Sequence, residues 1–206
     1  MNKLVIIGGG TFNHISCHLA LAAPAFGQTA INMARWAVHM DTGMEIVLKL
    51  TKMADRSSEI ITNDDLHNYV STLLDDPLVK IIVMNAAVCD FKAENPSSET
   101  RLSSSKNYHL TLEGIRTKIM GMIQYRRPDI VVCGFKTTHG ATEAEQMRKA
   151  VDSMNANSLP LVLANDLETR RNILVCDSGR NFFDNREALL RRMLSHALFK
   201  ARQKCG

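Results

Sequence analysis

Leu4-Val5-Ile6-Ile7 runs without a polar residue straight into Gly8-Gly9-Gly10-Thr11, and no other feature limits the fold of this chain so tightly. Four consecutive large aliphatic residues have no period of two, so a strand made from them must be covered on both faces. That is the condition of a central strand in a parallel sheet. Further apolar runs recur at Glu45–Leu50, Lys80–Met84, Asp129–Phe135 and Leu159–Leu163, with helical patterns between several of them. Strands alternating with helices predict a doubly wound, mostly parallel α/β sheet, its crossovers right-handed.

The helices are marked by their caps. Thr62 stands three residues before Asp65, and Leu66, Tyr69, Val70, Leu73 and Leu74 then fall on one helical face. Thr142 and Glu145 repeat the signal, with Ala144, Met147, Val151 and Met154 to one side. Another helix starts near Gly27-Gln28-Thr29 and runs to about Val38. Asp184 and Glu187 open the last one, whose stripe is Leu189, Leu190, Met193, Leu194 and Ala197. Its basic residues, Arg186, Arg191, Arg192, Lys200, Arg202 and Lys204, read as a solvated face. Before it, Ile173–Cys176 and Asn181–Phe183 flank Asp177-Ser178-Gly179-Arg180 as a C-terminal hairpin. The polar stretch Ala86–Asn107 is of the kind that is functional or mobile inside a compact domain.

No internal repeat or linker divides the 206 residues, so a single domain over 1–206 is expected. The net charge of +4 favours anionic ligands but lacks the concentrated basic stripe of a nucleic-acid binder. Five scattered cysteines without a C-x-x-C pair argue against a disulfide framework or a zinc ribbon, which suits a reducing, cytoplasmic setting. No apolar run approaches the ~18 residues of a membrane span.

Gly8 to Thr11 occupy the end of a strand, where backbone N–H groups can approach a phosphate. They match neither G-x-G-x-x-G nor the Walker pattern, and a tight turn alone would also demand such glycines. Asn85-Ala86-Ala87-Val88-Cys89-Asp90-Phe91 follows another apolar run, and its small residues would let a ligand lie against the backbone. Asp90 suits a metal ion bound to phosphates or a ribose hydroxyl, or else a turn cap. Gly134-Phe135 and Ala164-Asn165-Asp166 complete four strand-end motifs, and open α/β sheets bind ligands at such ends. His14 and His18 have metal-ligand spacing but no carboxylate companion.

In order, Gly8-Gly9-Gly10-Thr11, Asn85–Phe91, Leu110-Thr111-Leu112-Glu113, Val132-Cys133-Gly134-Phe135 and Ala164-Asn165-Asp166-Leu167 resemble phosphopantothenate–cysteine ligase over nearly the whole chain. The resemblance implies a Rossmann-like homodimer that activates the carboxylate of 4′-phosphopantothenate with CTP or ATP and Mg²⁺, then passes it to cysteine. No flavin is expected in this domain. It implies that Gly8, Gly9, Gly10 and Thr11 line the phosphates. Ala86, Ala87 and Asp90 would face the nucleotide, with Gly134 and Phe135 by its base and Asn165 and Asp166 nearby. Asp90 would also serve the metal. The family's N-x-S-S-G-K segment falls on Ala23, Ala25, Phe26 and Gln28, and its K-x-K-K stretch on Arg101 to Lys106. Arg101 and Lys106 are therefore the catalytic cations expected beside Asp90, while the family's later lysine pair falls on Ser153 and Asn157. A divergent ligase follows, with a catalytically weakened nucleotide-binding or sequestering protein as the alternative. An oxidoreductase is disfavoured because no acidic residue follows a G-x-G-x-x-G unit.

Overall fold

The computed structural model describes residues 1–98, 101–115 and 118–205. Its first half contains β1 (Lys3–Gly10), β2 (Phe12–His14), β3 (Ala20–Ala22), α1 (Gln28–His39), β4 (Glu45–Leu50), α2 (Asn63–Asp75), β5 (Val79–Ala87) and β6 (Phe91–Ala93). The second half contains β7 (Leu112–Gly114), α3 (Ile119–Arg126), β8 (Val131–Thr138), α4 (Glu143–Ala156), β9 (Leu161–Asp166), β10 (Asn172–Cys176), β11 (Asn181–Phe183) and α5 (Arg186–Cys205).

Seven strands form one sheet in the order β11-β10-β9-β8-β5-β1-β4. The five from β9 to β4 are parallel, and β10 and β11 close the edge as the expected antiparallel hairpin. The apolar run of β1 explains its central place. Leu4 and Ile6 point into a core beneath α1 and α5, whereas Val5 and Ile7 point into a second core shared with α2, α3 and α4. Each fully buried aliphatic side chain contributes about 1.5–3 kcal/mol, against about 1 kcal/mol for a helix cap. Burial on both faces therefore outweighs the caps in holding the layers.

Both sequence-marked caps are present as capping boxes, Thr62 with Asp65 and Thr142 with Glu145. On α4 the buried face is turned from the expected one, with Gln146 and Ala150 at its centre and Ala144 exposed. Gln146 is fully buried because Arg171 satisfies it, the carbonyl accepting its amide at 3.1 Å and the guanidinium reaching its oxygen at 2.8 Å. A pattern of apolar residues cannot show such a pair.

Three elements have no apolar period to announce them: the small hairpins β2–β3 and β6–β7, and the short helix α3. Of the stretch Ala86–Asn107, the first two residues end β5 and three more form β6, while residues 99 and 100 lie outside the described ones. No helix among the described residues is long and apolar enough to cross a membrane.

Candidate functional site

The four motifs read from the sequence do come together. They stand on β1, β5, β8 and β9, which are consecutive neighbours in the sheet, all at its carboxyl edge. A cavity of about 700 Å³ opens across the ends of β5, β8 and β9, between the first turn of α1, the start of α3, the end of α4 and Arg186 of α5. Of the expected residues, Ala86, Ala87, Asp90, Phe135 and Asn165 line it, as do Ser153 and Asn157.

Gly8, Gly9, Gly10 and Thr11 do not line it; they form its buried backing. The strand continues through the glycines instead of ending at them, because β5 pairs with them as far as Gly10 opposite Ala87. A Cβ on Gly8 would collide with Ala30 of α1, so this glycine lets the helix lie against the sheet. Gly9 has φ +102°, a conformation closed to other residues, with Thr51 and Ala54 packed where a side chain would go. The run is thus explained by close packing around β1, and a tight turn is not what it serves.

Thr11 acts on the site at one remove. Its hydroxyl donates to Asn63 at the start of α2 and accepts the Cys89 N–H at 3.0 Å. The Cys89 carbonyl in turn accepts from Asn63 Nδ2 at 2.7 Å and Asn13 Nδ2 at 3.2 Å. The two peptide groups flanking Cys89, held by three side chains, fix the direction of the next residue, Asp90. Asp90 lies exposed at the cavity, with Lys118 Nζ 2.7 Å from its Oδ1.

The remaining expected residues lie elsewhere. Gly134 is buried against Leu159 and Met120, and only its neighbour Phe135 reaches the cavity. Asp166 is 2% exposed and fully engaged: its carboxylate accepts from Thr138 Oγ1, Thr169 Oγ1 and the N–H groups of Gly140, Ala141, Glu168 and Thr169. Led by the Thr169 N–H, these bonds hold its pKa well below the usual carboxylate range. It is a clamp on the β8–α4 and β9–β10 loops. Arg101 and Lys106 are exposed on the loop before β7 and do not line the cavity. Cys133 is fully buried, and burial pushes its thiol up to about 12, so no nucleophile is offered there.

The match to the DNA/pantothenate metabolism flavoprotein C-terminal domain family covers residues 1–189. The chain belongs to this family. It is 25% identical over 169 residues to the coenzyme A biosynthesis bifunctional protein CoaBC of Methanocaldococcus jannaschii, covering 81% of this chain and 41% of that one. The CoaBC protein of Thermococcus kodakarensis is 24% identical over 212 residues, covering 98% and 51%. The chain thus spans about half the length of these curated relatives, or less. Its fold is similar to that of the DNA/pantothenate metabolism flavoprotein from Streptococcus pneumoniae, with TM-score 0.79, 20% identity, and 95% and 98% of the two chains covered. It is also similar to a Cab2 mutant in complex with phosphopantothenate-cysteine, with TM-score 0.69, 11% identity, and 100% and 89% covered.

In this member of the DNA/pantothenate metabolism flavoprotein family, the charge at the cavity comes from side chains that sequence reasoning missed. Lys118, Lys136 and Arg186 line it, against the single carboxylate of Asp90 among the described lining residues. Lys118 precedes α3, Lys136 lies two residues past Gly134, and Arg186 opens α5. Only Lys136 had a nearby signal, since it adjoins the Gly134-Phe135 motif. Arg186 was hidden among the basic residues of a helix that is otherwise solvated on that side. Among the described residues, no group of three or more His, Cys, Asp or Glu side chains is arranged to hold a metal ion.

Proposed function

We propose that this domain joins an acid to an amine through an acyl-nucleotide, in the manner of the phosphopantothenate–cysteine ligase of coenzyme A biosynthesis. Its family, the names of its curated relatives and a similar fold solved with phosphopantothenate-cysteine support the reading. The observation that carries it is the net cationic cavity at the ends of β5, β8 and β9. At about 700 Å³ it has the size of small-molecule sites, about 300–1,000 Å³.

In this reading the substrate's carboxylate oxygen bonds the α-phosphorus of CTP or ATP as the bond to the departing pyrophosphate breaks. The amine of cysteine then attacks the acyl carbon, nucleoside monophosphate leaves, and the amine sheds one proton. Lys118 and Lys136, which line the cavity, would neutralise phosphate charge, and the small side chains of Ala86 and Ala87 would let the nucleotide lie on β5. Asp90 fits Mg²⁺, because one exposed carboxylate together with phosphate oxygens and water is a donor set this ion accepts. Bound there, Mg²⁺ would neutralise and orient the phosphates. The reading includes a homodimer, supported by the exposed apolar side chains of Phe91 and Leu112 on the paired strands β6 and β7.

Pyrophosphate release with 4′-phosphopantothenate, Mg²⁺ and CTP or ATP tests the chemistry, with and without cysteine. Acid-dependent release is expected; its absence with a folded protein that binds nucleotide would leave the second reading. That second reading, a nucleotide-binding protein with weakened catalysis, is favoured by the entry to α1, on either side of its N-cap Gly27. There Phe26, 72% exposed, and Gln28 stand where polar and cationic groups would serve the intermediate. Sedimentation at micromolar concentration tests the dimer, which a monomeric boundary would exclude.

A further inference from the structure

α1 begins at the cavity without a cap. Its N-cap is Gly27, which has no side chain to offer, and its first turn has no acidic residue. Gly27, Gln28 and Thr29 line the cavity, so the unpaired amides of that turn adjoin it. A helix end alone does not define a site. Arg186 does more.

Arg186 lines the same cavity, half-buried, at the start of α5. Its guanidinium donates to Thr29 Oγ1 and to Asn172 Oδ1, both at 3.3 Å. Both partners are neutral, and among the described residues no carboxylate pairs with it. Burial pushes its pKa below the ordinary arginine value, with no opposing charge to offset it. Arg127 shows what a structural arginine looks like in this protein. It grips Asp129 at 2.7 and 2.8 Å and the Leu74 carbonyl at 2.9 Å, and its pKa is raised, first by the Asp129 bond. A half-buried charge without a counter-ion costs stability until an anion arrives.

A second group in the cavity wall also lacks its partner. Asn157 is 8% exposed; its Nδ2 donates to the Ser153 carbonyl at 2.8 Å, while its buried Oδ1 accepts no hydrogen bond. Buried polar groups in native proteins are paired as a rule, and of these two Arg186 is the one the cavity exposes: a cation in its wall with only neutral partners, matched by an anionic occupant.

We propose that Arg186 is a substrate-positioning residue that holds a phosphate group against the first turn of α1. It supplies charge where Ala23, Ala25, Phe26 and Gln28 supply none. The planar fork of a guanidinium suits two phosphate oxygens at once, and the Thr29 hydroxyl it already touches is a further donor. The identity of the phosphorylated substrate rests on the proposed ligase reading; the anion site itself does not. The phosphate comes either from the nucleotide or from the acid.

Inorganic tripolyphosphate and cytidine separate the anion site from the rest of the cavity. Titration calorimetry should show Arg186→Gln weakening tripolyphosphate about 10- to 100-fold, the range of a lost charge-assisted contact, with cytidine unchanged. Arg186→Lys should restore part of the affinity. Equal tripolyphosphate affinity in wild type and Arg186→Gln would overturn the assignment, as would failure of the wild type to bind it at all. If Arg186→Gln does not fold, the Lys variant carries the test, because loss of the fork alone should weaken tripolyphosphate several-fold and an unchanged affinity would refute it. Where turnover is measurable, the KM that rises names the source: that of the nucleotide or that of the phosphorylated acid. A change in thermal stability with neither KM altered would make Arg186 a tie between α1 and β10 and overturn the proposal. Absence of turnover alongside Arg186-dependent tripolyphosphate binding would sink the ligase reading and leave the anion site standing.

Discussion

Lys118 Nζ lies 2.7 Å from Asp90 Oδ1, joining the loop after β5 to the start of α3 across the wall of the cavity. Both side chains are more than half exposed, at 55% and 64%, and exposed pairs of this kind contribute about 0–1 kcal/mol to stability. Stability therefore gives little reason for the pair. Its place does, since it puts an exposed cation and the cavity's carboxylate together where phosphates are expected. Lys118→Ala should leave the Tm within about 2 °C of wild type while cutting kcat/KM, or nucleotide affinity, about tenfold. It should also lower the Mg²⁺ concentration for half-maximal binding, because Asp90 loses its competing partner. Unchanged affinity and unchanged Mg²⁺ dependence would make the pair a surface contact only.

Gly9→Ala should fold poorly, and Gly9→Val should not fold. At φ +102° any Cβ is strained, and here it would also overlap Thr51, whose hydroxyl donates to the Gly10 carbonyl at 2.8 Å. Circular dichroism and soluble yield check this before any ligand is added. A Gly9→Val protein with native stability that fails only to bind nucleotide would show that the glycine meets phosphate after all.

The difference between Gly9 and Lys118 shows what was legible in this chain. The apolar strands, the hairpin and both capping boxes follow from local patterns, each written within a dozen residues, whereas the order of the strands in the sheet does not. The glycine run was visible, but its purpose depends on Ala30 and Thr51, which the sequence does not place beside it. Asp166 was read as a ligand because it ends a strand; its six donors come from two separate segments, 138–141 and 168–169. Lys118 and Arg186 sit on elements with no motif, one before a helix without apolar period and one within an ordinary basic pattern. Only the tertiary fold turns them toward the same space.

Asp166 should make the protein acid-sensitive. Its folded pKa lies below that of an unfolded aspartate, about 3.9, chiefly through the Thr169 N–H. A lowered carboxylate pKa gives stability that is fully present above the unfolded value and is lost as pH falls toward the folded one. The Tm should thus hold from pH 7 to about 5 and decline below about 4. Other lowered carboxylates, among them Asp65 and Asp129, share in that decline, so the informative quantity is the difference from a variant. Asp166→Asn should melt several degrees lower at pH 7, and its deficit should shrink as pH approaches 2. A deficit independent of pH would remove Asp166 from the acid response.

Asn157, at the end of α4, offers a test of what fills that side of the cavity. Its Oδ1 has no donor, and an unsatisfied buried acceptor costs about 1–3 kcal/mol, whereas an apolar group of similar shape carries no such penalty. Asn157→Leu gives up the bond to the Ser153 carbonyl but also the open acceptor, so the ligand-free variant should melt within about 2 °C of wild type or above it. The atom is sealed in the ligand-free fold; if the side chain turns to present it to a ligand, it should favour a base that carries an amino group. CTP should then raise the Tm of the wild type more than UTP does, and the gap should close in Asn157→Leu, since a ligand stabilises in proportion to its affinity for the folded state. The apolar neighbours Met120 and Phe135 remain to hold the ring in both proteins. Thermal melts with each nucleotide and Mg²⁺ decide it. Equal shifts from CTP and UTP in the wild type, or a gap that survives the substitution, would show that the open acceptor is not read by the base.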